Sequence, residues 1–239
     1  MCGRFVSNTP PDELAQLLRA RAPDPGVALD PSYNIAPTQL VHAARETGGE
    51  RRLDILRWGL VPYWAKDPRI GARMINARAE TAATKNAFRN SLAKRRCIIG
   101  ADGFYEWQRT VDSKDSKHKQ PFFVSHADAE PFAFAGLWEI WRDRDHLDAD
   151  GQPLEVHSCT ILTCAANEAI AQIHDRMPVI LPSDTWDFWL DPANTDLQAT
   201  AELLVPAPAD SIRAHRVSTD VNNVRNDGPH LIKCLTTPS

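Results

Sequence analysis

Nowhere in the 239 residues does an apolar run approach the roughly 18 residues that a bilayer-spanning helix needs. The N-terminus, Met1-Cys2-Gly3-Arg4-Phe5, lacks the basic-then-apolar order of a secretion signal. The five cysteines include no C-x-x-C pair, and their odd number argues against a disulfide framework or a structural zinc site. There is no internal repeat, glycine-rich phosphate loop, cofactor fingerprint or metal-binding helix pattern, so neither cofactor nor metal is expected. What is present, 43% hydrophobic and 24% charged residues, excludes a disordered chain and predicts a soluble, cytoplasmic protein.

The net charge of −4 hides an asymmetry. Between Lys66 and Arg96 stand nine basic residues (Lys66, Arg69, Arg73, Arg78, Lys85, Arg89, Lys94, Arg95, Arg96) against Asp67 and Glu80. That window carries +7 and the remainder −11. One basic segment in an acidic protein is either a polyanion site or a solvated charged face.

Thr9-Pro10-Pro11-Asp12 predicts a helix start capped by Thr9, with Leu14, Leu17 and Leu18 at helical spacing and Pro23 beyond the end. From Gln39 the pattern predicts strands over Gln39–Ala44, Leu53–Trp58, Arg96–Ile99, Gly103–Gln108, Pro121–His126, Phe132–Ile140 and His157–Ala165. Asn167 is placed to cap a short helix through Ile173, and Ser183 and Asp196 to open two more. The polar stretches Thr110–Gln120 and Arg142–Glu155 read as exposed hairpin loops. Many strands without regular intervening helices imply an α+β fold: one domain, residues 2–230, with a mostly antiparallel, barrel-like β core flanked by short helices and a C-terminal tail at 231–239.

Cys2 stands out by position. If Met1 is removed, Cys2 gains a free α-amine beside its thiol, and the pair reacts with an aldehyde to give a five-membered thiazolidine. The amine, with an ordinary pKa of about 7.7–8.0, is substantially neutral near physiological pH. The same residue fits an N-terminal nucleophile with its own amine as base, or an inert thiol. Glu106, in Gly103-Phe104-Tyr105-Glu106-Trp107, shares a strand face with Phe104, while Tyr105 and Trp107 take the other. A carboxylate among aromatics is held partly protonated and suits proton transfer; a salt-bridged Glu is the bland reading. In Asn76-Ala77-Arg78-Ala79-Glu80, extended backbone points Asn76 and Arg78 into one space, where an amide orients a ligand and a guanidinium grips phosphate. His174-Asp175-Arg176 repeats the device. Arg57 through Lys66 interleaves aromatics with cations; exposed rings there suit stacking on unpaired bases, with Trp58 expected to be structural.

These segments also have a collective identity. Met1-Cys2-Gly3-Arg4-Phe5, Tyr33-Asn34-Ile35-Ala36-Pro37, Trp58-Gly59-Leu60-Val61-Pro62, Ile75 through Thr81, Ala101 through Trp107, Ile173 through Pro178, and Val221-Asn222-Asn223 through Pro229 occur together and in order. The chain thereby resembles the SOS response-associated peptidase (SRAP) family along nearly its whole length. The resemblance implies a DNA-damage protein that recognises abasic sites in single-stranded DNA and crosslinks itself to them, with AP lyase activity through the same imine and autoproteolytic processing. On this likeness Cys2 is the nucleophile, Asn76 orients its amine and the sugar, Glu106 shuttles protons, and His174 opens the sugar ring. Arg4, Arg78 and Arg176 bind flanking phosphates, and Asn34, Pro37 and Trp64 line a kinked strand. The implied partner is abasic single-stranded DNA, with no membrane or nucleotide cofactor; the protein is a monomer, nucleoid-associated when bound. The sequence departs from the family pattern at Ala65, where a second aromatic is common, and at Asn86 beside Lys85, where a basic residue is common. An N-terminal-nucleophile peptidase and a non-catalytic single-strand-binding module are the alternatives.

Overall fold

The computed structural model describes residues 2–24, 26–108, 119–147 and 149–235. Its strands, in chain order, are β1 (Phe5–Ser7), β2 (Ser32–Ile35), β3 (Leu40–Thr47), β4 (Glu50–Trp58), β5 (Asn76–Arg78), β6 (Arg96–Ala101), β7 (Gly103–Gln108), β8 (Gln120–His126), β9 (Phe132–Leu147), β10 (Pro153–Ala165), β11 (Arg176–Pro178) and β12 (Ile212–Arg216). Strands β10, β4, β3, β6 and β9 pair in that order, and β9 returns to β10, closing a five-stranded barrel. All its pairings are antiparallel except β10 beside β4. Closure leaves no unpaired edge in this ring. At the far end of β10, β5 pairs with it in parallel and β11 antiparallel. A second, antiparallel sheet runs β12-β8-β7-β1-β2. The architecture is the expected α+β domain with a mostly antiparallel barrel core.

The two sheets meet through aromatic side chains. Phe5 of β1 lies edge-on to Trp58 at 5.1 Å and to Phe134 at 6.3 Å, and Phe104 of β7 meets Phe134 at 5.9 Å. All four rings are fully buried. Such pairs add about 0.5–1.5 kcal/mol each beyond their buried area. The first strand, part of the open sheet, is therefore packed against the barrel and carries the N-terminus into the seam.

The local expectations hold with corrections. Helix α1 (Pro11–Leu17) starts without a side-chain cap. The Thr9 hydroxyl donates instead to Asp102, which also receives the Asn8 and Thr9 amides. Pro10 and Pro11 bring no N–H to be capped, so the threonine is free to join that carboxylate. Asn167 and Asp196 cap their short helices, Glu168–Ala171 and Leu197–Glu202, as expected, whereas the helix expected from Ser183 begins at Trp186. The stretch Arg142–Glu155 is largely strand, not loop. Arg142 donates to Glu155 at 2.7 Å across the β9–β10 ladder, an ion pair that sustains the hairpin without an apolar face. The other polar stretch lies, up to residue 118, outside the described residues. The fold also passes the expected boundary at 230: Leu231 is fully buried with Val6, Tyr105 and Val221, and the Leu235 amide donates to Arg216 O. Among the described residues no helix is long and apolar enough to cross a membrane.

Candidate functional site

Strand register assembles the site. Phe5 lies opposite Phe104 and the Tyr105 amide donates to Arg4 O, so running β1 back towards the N-terminus brings Cys2 alongside the Glu106 end of β7. On the other side Asn76 Nδ2 donates to Cys2 O at 2.7 Å. Asn76 and Arg78 lie opposite Ile161 and Thr163 of β10, and Ala165 lies opposite Arg176 of β11. One end of β10 thus holds both arginine-bearing segments beside the N-terminus.

The Trp58–Pro62 segment fixes this frame. Trp58 Nε1 donates to Ile75 O at 2.9 Å, confirming the ring as structural. Gly59 has φ +127°, and a Cβ there would lie 2.6 Å from Gly71 O, so only glycine fits. The Leu60 amide donates to Met74 O at 3.1 Å and the Val61 amide to Ser158 Oγ at 2.8 Å. These bonds tie the segment to the chain that enters β5.

Cys2 is fully buried, with its thiol 3.9 Å from Arg4 O. Burial, reinforced by the charge of Glu106, pushes the thiol well above the ordinary thiol range. Glu106 is 2% exposed. Desolvation raises its pKa to about 7, and Asp175 adds to the rise, while a hydrogen bond from the Trp107 amide opposes it. A carboxyl half-ionised near neutrality therefore stands beside a thiol kept protonated. Asn76 Oδ1 is buried with no hydrogen-bond partner among the described residues and offers an acceptor within the same group.

Among the described residues His174 Nδ1 accepts the Arg176 amide at 3.0 Å and lies 2.9 Å from Asp175 Oδ1. The amide serves a neutral ring with Nδ1 unprotonated, and the carboxylate serves an imidazolium. Asp175 is the residue sequence reasoning left without a role; its only signal was adjacency to His174.

The remaining candidates divide. Arg4 Nη1 donates to Asn34 Oδ1 at 2.6 Å and to Val221 O at 2.8 Å. Asn34 Nδ2 donates to the carbonyls of Val221, Asn223 and Asn226, so this buried amide braces Arg4 against the 221–226 segment. Arg176 is likewise engaged, gripping Glu80 through both Nη atoms at 2.5 and 2.9 Å and reaching Thr163 O. A phosphate at Arg176 has to displace Glu80. Arg78 is exposed and, among the described residues, has no ion-pair partner. Pro37 sits in a turn closed by the Gln39 amide on Ala36 O, with Thr38 in the left-handed region at φ +74° and its amide on Trp58 O. Trp64 is 43% exposed on a turn held by Trp141 Nε1 donating to Ala65 O at 2.7 Å. Among the described residues no hydrogen bond or ion pair joins Pro37 or Trp64 to the Cys2 group.

The basic segment shrinks on inspection. Arg96 is buried and donates to five carbonyls, including Leu92 O, Trp189 O and Asp191 O. Arg95 pairs with Glu139 at 2.8 Å and Arg69 with Asp67 at 2.7 Å. Lys66, Arg73, Arg78, Lys85, Arg89 and Lys94 remain as exposed cations.

The SOS response associated peptidase (SRAP) family matches residues 1–224 of this chain. The chain is 44% identical over 233 residues to the abasic site processing protein YoqW of Bacillus subtilis, covering 98% of this chain and 99% of that one. It is 34% identical over 241 residues to the abasic site processing protein YedK of Escherichia coli, again covering 98% and 99%. Its fold matches a crystal structure of a protein from Bacteroides thetaiotaomicron with a TM-score of 0.83, at 24% identity, over 98% of this chain and 100% of that one.

Proposed function

Because the chain belongs to the SOS response associated peptidase (SRAP) family, we propose that it processes abasic sites in single-stranded DNA by trapping the lesion's aldehyde as a thiazolidine on Cys2. Met1 is first removed, freeing the Cys2 amine. The amine adds to the aldehyde carbon of the ring-opened sugar, and the resulting carbinolamine loses water to give an imine. The thiol then adds across the C=N bond: sulfur bonds to carbon, and the thiol proton passes to nitrogen. The whole sequence releases one water and needs no oxidant or reductant.

Each step has a group suited to it. Glu106, near half-ionised at neutral pH, protonates the departing hydroxyl and takes the thiol proton during ring closure. Asn76 holds Cys2 O with its Nδ2 and leaves Oδ1 for the amine or a sugar hydroxyl. His174 opens the hemiacetal by protonating the ring oxygen from Nε2. A neutral imidazole carrying only the Nε2 proton is a negligible acid, so this step requires Nδ1 to be protonated as well, and Asp175 supplies the acceptor for that proton. Asp175 is thus a positioning residue for the acid. Arg4 and Arg78 receive flanking phosphates, and Trp64 and Pro37 line the strand. Elimination from the imine, with strand cleavage, competes with ring closure as the lyase branch.

The observation that carries this reading is the placement of Cys2, whose carbonyl accepts Asn76 Nδ2 at 2.7 Å and which strand register brings alongside Glu106, so that an amine freed there meets an amide and a carboxyl together. A cysteine peptidase needs a thiolate, whereas burial and Glu106 oppose ionisation here. An amine-first mechanism needs only a thiol with a proton acceptor beside it.

The test is to incubate protein whose intact mass shows Cys2 as the first residue with a single strand bearing one abasic site. A denaturation-resistant adduct is expected, absent in Cys2→Ala although docking persists. An adduct at full yield with Cys2→Ala overturns the proposal. Intact DNA together with peptide cleavage favours the peptidase instead.

A further inference from the structure

Beyond Trp64 the surface carries a second set of groups suited to a nucleotide. A cavity of about 600 Å³ opens between the helix Arg89–Lys94 and β9, with Tyr63, Asn90, Lys94, Arg95, Trp138 and Arg142 in its lining. Of the seven tryptophans, Trp58, Trp107, Trp141, Trp186 and Trp189 each donate their indole N–H within the protein. Among the described residues Trp64 and Trp138 do not. Tyr63 links these two, adjacent to Trp64 in the chain and beside Trp138 in the cavity, and it is 57% exposed. Trp138 is already stacked by Arg45, whose Cζ lies 4.2 Å from the ring centroid, so the indole is held in place before any ligand arrives.

The cations around these rings differ in availability. Arg95 is tied to the buried Glu139 and forms part of the wall. Lys94 is exposed and, among the described residues, has no ion-pair partner. Arg142 pairs with Glu155 on the surface, but Glu155 also has His157 at 2.8 Å, so a phosphate can take Arg142 and leave Glu155 partnered. A fixed ring with a spare donor, a second exposed ring and two accessible cations match a base with its phosphate. An apolar metabolite would have no use for Lys94 and Arg142.

We infer that this cavity is a second nucleotide subsite, receiving an undamaged base and phosphate of the same single strand after it passes Trp64. This rests on the function proposed above. The spacing is suitable: Asn76 lies opposite Ile161 and Ile140 opposite His157, four residues apart on β10, or about 13 Å. A strand a few nucleotides long spans that distance.

The test uses full-length Cys2→Ala protein, which docks without crosslinking. Its probes are single strands carrying a stable tetrahydrofuran abasic analogue, with either arm lengthened one nucleotide at a time. On one side affinity rises about tenfold when the arm reaches the cavity. In a Lys94→Ala/Arg142→Ala background that rise disappears and the salt slope flattens by about 1.4, while affinity for the shortest strand is unchanged. Tyr63→Ala reduces the rise by itself. No step on either side, a step that survives the double substitution, or one that appears only with a duplex arm overturns the subsite. Failure of the unsubstituted protein to crosslink a short, genuinely abasic strand condemns the proposed chemistry instead, whatever the arms do.

Discussion

The closed barrel and the seam beside it obey different rules. The barrel's strands run from 6 to 16 residues and pair with each other all round, and aliphatic side chains such as Ile98, Ile99 and Leu137 are buried along them. The seam is built from β1, β5 and β11, each three residues long, and from polar side chains below the surface. There Arg4 Nε, Asn76 Oδ1 and Arg176 Nε are buried with no hydrogen-bond partner among the described residues, as Arg45 Nη1 and Thr160 Oγ1 are on the barrel strands, and Glu106 has its pKa raised to about 7. Buried polar atoms left over together with such a carboxyl mark a place where a ligand completes the structure. The barrel supplies stability; the seam holds chemistry at some cost to it.

Substituting the seam's carboxyl tests that division most severely. Glu106→Gln is expected to slow adduct formation by about 10²–10⁴. It should also stabilise the protein at alkaline pH. With a pKa near 7 in the fold against an ordinary 4.5, Glu106 is protonated in the folded state over a range where the unfolded chain has ionised it. Stability therefore falls as pH rises from about 4.5 to 7, and above that the full penalty of about 3 kcal/mol persists. The variant should escape it, so its advantage over the parent is largest at pH 8 and fades towards pH 5. A melting series with no such pH-dependent gain would remove the cost ascribed to the seam.

The converse substitution belongs in the barrel. Ile98 is fully buried on β6, opposite Ala44 and Ala135. Ile98→Ala should cost about 2–5 kcal/mol of unfolding free energy, measured by denaturant titration, while the crosslinking rate per folded molecule is unchanged at low temperature. A proportionate loss of rate would mean that barrel and seam are a single mechanical unit.

This division also decides what was legible in the sequence. The seven strands expected from periodicity are all present, five of them the barrel and two, β7 and β8, the middle of the open sheet. Their ends ran further than expected where polar cross-strand pairs such as Arg142–Glu155 continue the ladder, because those pairs need no apolar alternation. Strands of three residues fall below any period, so β1 and β11 carried no signal of their own. Cys2, Asn76, Glu106 and His174 were recognisable as residue types in motifs; the fold supplies the proximity of the first three through register, and Asp175, next to His174, lies within electrostatic reach of Glu106. What no local pattern encodes is commitment between distant side chains. Asn34 is bound to carbonyls almost 190 positions away, and Arg176 to Glu80 across 96 positions. The motifs contain both residues but give no sign of these partners.

A gentler disturbance separates positioning from contact. Asp175→Asn keeps the size of the side chain beside His174 Nδ1 but removes the charge that an imidazolium requires. Among the described residues, Asp175 and the Arg176 amide face His174 Nδ1, and Asp175 in turn lies within electrostatic reach of Glu106. Adduct formation should slow about tenfold, with the decline in rate at rising pH beginning at lower pH, and Asp175→Glu should restore much of the loss. An unshifted pH–rate profile would leave Asp175 only a structural contact.

The smallest expected effect lies at the rim. Arg78 differs from Arg4 and Arg176 in being exposed and, among the described residues, without a side-chain hydrogen bond or ion pair, so no internal bond is broken by its removal. Arg78→Ala should leave stability within about 0.5 kcal/mol. Docking to single-stranded DNA should weaken, and the slope of log affinity against log salt should flatten by about 0.7, the value for one lost phosphate contact. Arg176→Ala makes the informative contrast, because it also frees Glu80. If both variants gave the same slope and the same stability, the pairing of Arg176 with Glu80 would have no bearing on DNA. A larger stability loss for Arg176→Ala with a comparable slope change would mean that phosphate does displace Glu80 on binding.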